Sequence, residues 1–191
     1  FFGRISYQKI INSKGGITSI LIEGHERLWQ LENSVDESLI RKWIYANSIH
    51  TIDLLRYFGG EVSEQLSLNR SFTKKHTDQF NSIFRMENDC LATYISHWSS
   101  PGSWGVKLMG NGVSVLFSPL ESGFTIDRTF SKTSLPISKY DQIFKPGFYN
   151  QMRYFIKNFL DKKNKNSLGS TLEDALKVTL LCEKIKQGSA F

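Results

Sequence analysis

Cysteine is scarce in this 191-residue chain: there are two, Cys90 and Cys182, far apart and with no C-x-x-C pair. That excludes a disulfide-stapled secreted scaffold and predicts two buried, reduced thiols in a reducing cytoplasm. Long apolar runs are missing as well. None approaches the roughly 18–20 residues a membrane span needs, and the N-terminus has no basic-then-apolar signal pattern. The four histidines, at 25, 50, 76 and 97, show neither H-x-x-x-H nor H-E-x-x-H spacing, which argues against zinc. Phosphate-cradling loops are lacking: nothing matches G-x-G-x-x-G after a strand or G-x-x-x-x-G-K-[ST]. A G-x-S-x-G nucleophile elbow is lacking too.

Charge of one sign is only mildly in excess, at +6. The densest basic stretch is Asp161-Lys162-Lys163-Asn164-Lys165-Asn166, with Lys74-Lys75 a smaller one. Neither carries the interleaved aromatic and glycine pattern of an RNA-binding sheet, and no helix shows a basic stripe, so nucleic acid is not an expected partner. A solvated loop accounts for 161–166.

What is present describes a soluble globular protein: 40% hydrophobic, 13% aromatic and 22% charged residues. We read residues 1–191 as a single domain. The chain opens Phe1-Phe2-Gly3-Arg4 without a methionine, which predicts that it belongs to a longer protein.

Residues 4–13 read as the tail of a helix, and Ile17 to His25 as a β-branched strand. Ser34-Val35-Asp36-Glu37 is read as a capping box opening a helix through Leu39, Ile40, Trp43 and Ile44. Five or so strands follow between Val62 and Phe130, among them a hairpin, Trp104–Met109 with Val113–Phe117, turning at Gly110-Asn111-Gly112. Phe148, Met152, Phe155, Ile156 and Phe159 recur at helical spacing and read as a core-facing stripe. Ser170-Thr171-Leu172-Glu173 reads as a second capping box, opening a helix that carries Leu172, Ala175, Leu176, Thr179, Leu180 and Ile185 and stops at Gly188. The predicted class is α+β, a mostly antiparallel open-faced sheet with helices packed on one face. The other sheet face is then left for a partner, a substrate or a second copy.

The most informative stretch is Ser48 to Gly60, which reads as one short helix stopped by a glycine pair. His50 and Asp53 lie three apart and share a face, while Ile49, Ile52 and Leu55 face a core. An imidazole titrating near neutral pH could exchange a proton with a substrate hydroxyl or carbonyl. Asp53 could orient it or bind substrate. The same spacing equally describes a core histidine bonded to a carbonyl at a helix junction. The strand end Gly24 to Trp29 is the other candidate segment.

Ile49-His50-Thr51-Ile52-Asp53-Leu54-Leu55-Arg56-Tyr57-Phe58-Gly59-Gly60 resembles the histidine-bearing helix of the Gfo/Idh/MocA family of NAD(P)-dependent oxidoreductases. Gly15-Gly16-Ile17-Thr18, Ser103 to Gly112, and Thr171 to Lys177 followed by Glu183-Lys184-Ile185 resemble further family segments in the family's order. The resemblance implies the C-terminal domain alone. An N-terminal Rossmann domain outside this chain would bind NAD or NADP and supply a catalytic lysine, so no cofactor is expected on this chain. It also implies a sugar-type substrate, self-association through the sheet, and His50 as proton donor and acceptor. Many members place aspartate, or sometimes asparagine, four residues before the histidine. Ala46 stands there in this chain, and Asn47 beside it is the candidate substitute. Arg27 and Lys107 are candidates to contact substrate, and Trp104 to stack on a sugar ring. On this reading the fragment is inactive by itself. The alternative is a non-enzymatic α+β module for oligomerisation or ligand binding, with a structural His50.

Overall fold

A computed structural model describes residues 11–12, 15–31, 34–72, 75–160 and 170–189, and in the helix at 148–160 the side chains of 158 and 159 are excepted. The sequence readings at 1–10, Lys74, Phe159 and the basic run 161–166 therefore lie outside the described residues.

Among the described residues eight strands form one sheet: β1 Ser19–Gly24, β2 Val62–Arg70, β3 Gln79–Met86, β4 Leu91–His97, β5 Trp104–Gly110, β6 Val113–Phe117, β7 Gly123–Asp127 and β8 Lys132–Ser134. Their order is β2-β3-β4-β1-β5-β6-β7-β8, and every pairing is antiparallel except β1 with β4. β1 thus joins two antiparallel meanders, which is why residues far apart in sequence meet at its end. The sheet is larger than the strand at Ile17 to His25 and the five or so after Val62 that were expected. β7 and β8 add to its far edge, and β8 is short and exposed.

Among the described residues five α-helices with given bounds accompany the sheet: α1 Glu37–Ile40, α2 Ile49–Gly59, α3 Lys139–Ile143, α4 Phe148–Leu160 and α5 Leu172–Gln187. α2 packs on β1, and α5 packs on α2, β2 and β3. Ile20, Ile22, Phe84, Ala92, Tyr94, Val106, Leu108 and Val115 fill the core beneath them. α2 ends where expected, at Gly60, whose φ of 84° suits a residue without Cβ.

Several local readings need correction. Asp36, not Ser34, caps α1, accepting from Ser38 N–H at 2.7 Å, while Ser34 Oγ donates to Leu31 O. The expected continuous helix instead breaks after Ile40 and re-forms as a π-helical turn, Ile44–Ser48, leading into α2. The second box is shifted by one residue: Thr171 accepts from Asp174 N–H at 3.1 Å, and Asp174 accepts from Thr171 N–H at 2.9 Å. α5 buries Val178, Leu181, Cys182 and Ile185, leaving Leu172 92% exposed and Leu176 and Leu180 exposed with it. The α4 stripe is not a core face either: Phe148, Met152, Phe155 and Ile156 are all exposed. Helical spacing reported an amphipathic helix but could not say what covers it.

Candidate active site

β1 ends at Gly24, where a Cβ would lie 2.7 Å from the Tyr94 hydroxyl and 2.8 Å from Thr51 Oγ1 of α2. Glycine there permits α2 to approach the sheet closely. The backbone beyond keeps following β4, with Glu26 N–H donating to His97 O and Leu28 N–H to Trp98 O, each at 3.1 Å. Strand alternation therefore continues past the strand. Ile20, Ile22, Gly24 and then Glu26 all point to the helix-covered face.

Glu26 is only 6% exposed. Its carboxylate accepts from Asn47 Nδ2 at 2.9 Å and from Ser48 Oγ at 3.0 Å. These neighbours belong to the π-helical turn, whose wider winding brings two consecutive side chains onto one carboxylate. Burial pushes the Glu26 carboxyl above the ordinary carboxylate range. Donors from Ser48, Trp43, Asn47 and Trp104 oppose this without cancelling it. The Trp43 indole nitrogen is buried without a hydrogen bond of normal geometry, so its N–H acts on the carboxylate from longer range.

A cleft of about 350 Å³ opens over this carboxylate, lined by His25, Glu26, Arg27, Trp43, Asn47 and Trp104 among others. His50, in the first turn of α2, is exposed and stands beside it, its ring 6.3 Å from the Trp104 ring. Among the described residues the imidazole makes no hydrogen bond to a backbone carbonyl, so nothing there ties it down as a core histidine.

Of the residues the sequence singled out, the structure gathers His50, Asn47, Arg27 and Trp104 here. Asn47 is committed to Glu26. Asp53 turns away from the cleft toward Arg56, 3.5 Å from its Nη1. Burial raises the Asp53 carboxyl and Arg56 lowers it. Lys107 is not brought to the site. It pairs in register with Leu21 and Leu116 on the open sheet face, opposite Trp104, because an odd spacing along a strand reverses the face. Glu26 and Ser48 lay inside the two candidate segments without a role of their own, and Trp43 was read only as a helix position. The alternation 20, 22, 24, 26 was the signal that would have found Glu26.

No family model matches the sequence, and no curated protein matches it. Solved structures do match in shape. UDP-N-acetylglucosamine 3-dehydrogenase from Acidithiobacillus ferrooxidans superposes with a TM-score of 0.70 at 11% identity, over 96% of this chain and 56% of that one. scyllo-Inositol dehydrogenase from Lactobacillus casei gives 0.68 at 14% identity, over 98% and 57%. Levoglucosan dehydrogenase in complex with NADH and L-sorbose gives 0.69 at 14% identity, over 94% and 58%. The fold is therefore one that these dehydrogenase structures contain as part of a longer chain. The chain spans a little over half the length of these structures, and in this fold the π-helical turn and α2 bring His50 to the sheet end occupied by Glu26 and Trp104.

Proposed function

We propose that this chain is the substrate-binding and association domain of an NAD(P)-dependent oxidoreductase that acts on a hydroxyl or carbonyl of a sugar or nucleotide sugar. The observation that carries this reading is the exposed His50 imidazole against Trp104, beside a cleft floored by a buried carboxylate. An imidazole there can hold or deliver the proton of a reacting hydroxyl. Trp104 offers a flat apolar surface to a ring, and Arg27 a donor to its substituents. The dehydrogenase fold supports the assignment as analogy.

Hydride chemistry is what a nicotinamide cofactor supplies, and this chain's residues do not fit that group. The sequence holds no glycine-rich strand-to-helix turn to cradle a pyrophosphate. We assign NAD or NADP to a Rossmann domain outside the chain. The exposed stripe Phe148, Met152, Phe155 and Ile156 on α4 is a surface for such a domain to cover. The open sheet face, where Leu66, Ile83 and Leu91 are exposed, supports self-association. Two buried free thiols fit a reducing cytoplasm. A carboxyl group buried beneath a cleft without a cation favours a ligand-binding site over a purely structural module.

The test uses the full-length protein. His50→Ala should abolish turnover of a sugar substrate while leaving NAD(P)H affinity unchanged. Unchanged turnover removes His50 from the mechanism.

A further inference from the structure

A carboxylate buried without a cation is expensive, and proteins retain one where it has work to do. Glu26 meets that description: among the described residues no cation pairs with it, and its hydrogen-bond donors are the neutral Asn47 and Ser48, with the Trp43 and Trp104 indoles acting on it without a hydrogen bond of normal geometry. Asn47 and Ser48 occupy one lone-pair site on each oxygen, about half of what a carboxylate offers. The remaining capacity lies at a cleft lined by Trp43 and Trp104. An acceptor pair beside aromatic faces suits a ring that is apolar on its face and carries hydroxyl donors at its edge.

We propose that Glu26 is the ligand-positioning carboxylate of this cleft, accepting hydrogen bonds from adjacent hydroxyls of a cyclic polyol that packs on Trp104. The polyol class rests on the function proposed above; the acceptor role rests on the geometry of Glu26. Glu26 thereby differs from His50 in role. It fixes where the ring sits, and it does so only when ionised, so binding strengthens as pH rises through its titration. The other titratable groups around it are His25 and Arg27 on its own segment, Tyr94 from β4 and His50 from α2.

The experiment is polyol binding to the 191-residue chain, followed by tryptophan fluorescence and saturation-transfer NMR with scyllo-inositol and L-sorbose, between about pH 5 and pH 8. Because it needs neither cofactor nor turnover, its result is independent of the His50 test. Wild type should bind at least one probe more tightly at the higher pH, and should not bind permethylated inositol, which keeps the ring but has no donors. Glu26→Gln should weaken binding about tenfold or more and flatten the pH profile. Glu26→Asp, with its charge withdrawn by one methylene, should bind with intermediate affinity and keep the pH profile. It carries the test if the amide variant fails to fold. If neither probe binds wild type, the proposal is overturned. So does undiminished affinity in the variant that folds.

Discussion

Replacing Arg56 with methionine should loosen the helix that carries His50 without touching the cleft. The guanidinium is 8% exposed and holds Glu61 through both oxygens, at 3.2 and 2.8 Å. It also donates to Asp174 Oδ1 at 3.2 Å and to the Asp174 carbonyl at 3.0 Å. Through these bonds α2 is fastened to the first turn of α5. Removing one partner of a fully buried ion pair costs about 3–5 kcal/mol. Here Glu61 keeps Lys177 at 3.4 Å, and Asp174 keeps its Thr171 cap. The carboxylates are also partly solvated, so the loss shrinks to about 2–3 kcal/mol. For a chain of this size that is a fall in Tm of roughly 4–12 °C. Urea unfolding should show the midpoint falling at unchanged m-value, with polyol binding retained. A loss below about 0.5 kcal/mol would equate the cluster with an exposed ion pair and refute the claim that it clamps α2 to α5.

Other consequences are open to direct measurement. Because burial raises the Glu26 carboxyl in the folded state, the folded chain holds its proton to higher pH than the unfolded one, and stability falls as pH rises through that window. Glu26→Gln should therefore match or exceed wild-type Tm at neutral pH while losing binding; a Tm well below wild type at neutral pH would contradict this. Burial also raises both thiols, that of Cys182 to about 12, with the charge of Asp53 adding to it. A thiol reagent at about pH 8 should modify neither in the native chain and both in urea; rapid native labelling would show that their cover opens. Ile83, 55% exposed on the open sheet face between Leu66 and Thr93, should govern self-association. Ile83→Lys should shift a dimer toward monomer by light scattering at micromolar concentration, and an unaltered dimer would place the interface elsewhere.

What could be read from the sequence was local chemistry. The stop of α2 at Gly59-Gly60 and the hairpin at Gly110-Asn111-Gly112 each depend on a few residues whose backbone preferences decide the matter. Capping boxes were harder because the chain offers overlapping candidates. Ser34 and Asp36 compete within three residues, as do Ser170 and Thr171, and the helix takes whichever oxygen reaches a free N–H. β7 and β8 escaped notice because their regularity comes from pairing, β7 with β6 and β8 with β7, not from alternation of their own. For α4 and α5, periodicity marked an amphipathic helix but left open which side another element would cover. Within the site, the separation of Trp104 from Lys107 was legible, since residues three apart on a strand face opposite ways. The union of Glu26 with Asn47 and Ser48 was not, because it depends on a π-helical turn that no spacing rule announces.

These contacts divide the work along α2. Its N-terminal side is held through Asn47 and Ser48 to a buried carboxylate, and Arg56 near its other end is held to α5 by an ion cluster. The first anchor is costly to stability whenever Glu26 is ionised, since it then keeps a charge out of water with neutral partners only. The second is stabilising, since its cation and carboxylates answer one another. A fold selected for stability alone would keep the second and replace the first with an apolar contact. That the expensive anchor is the one beside His50 and at the cleft is the physical reason to place function there. It also explains how the chain tolerates it: the rotation and position of the helix are already fixed at the far end, eight residues or about 12 Å away, so Glu26 is free to answer to a ligand.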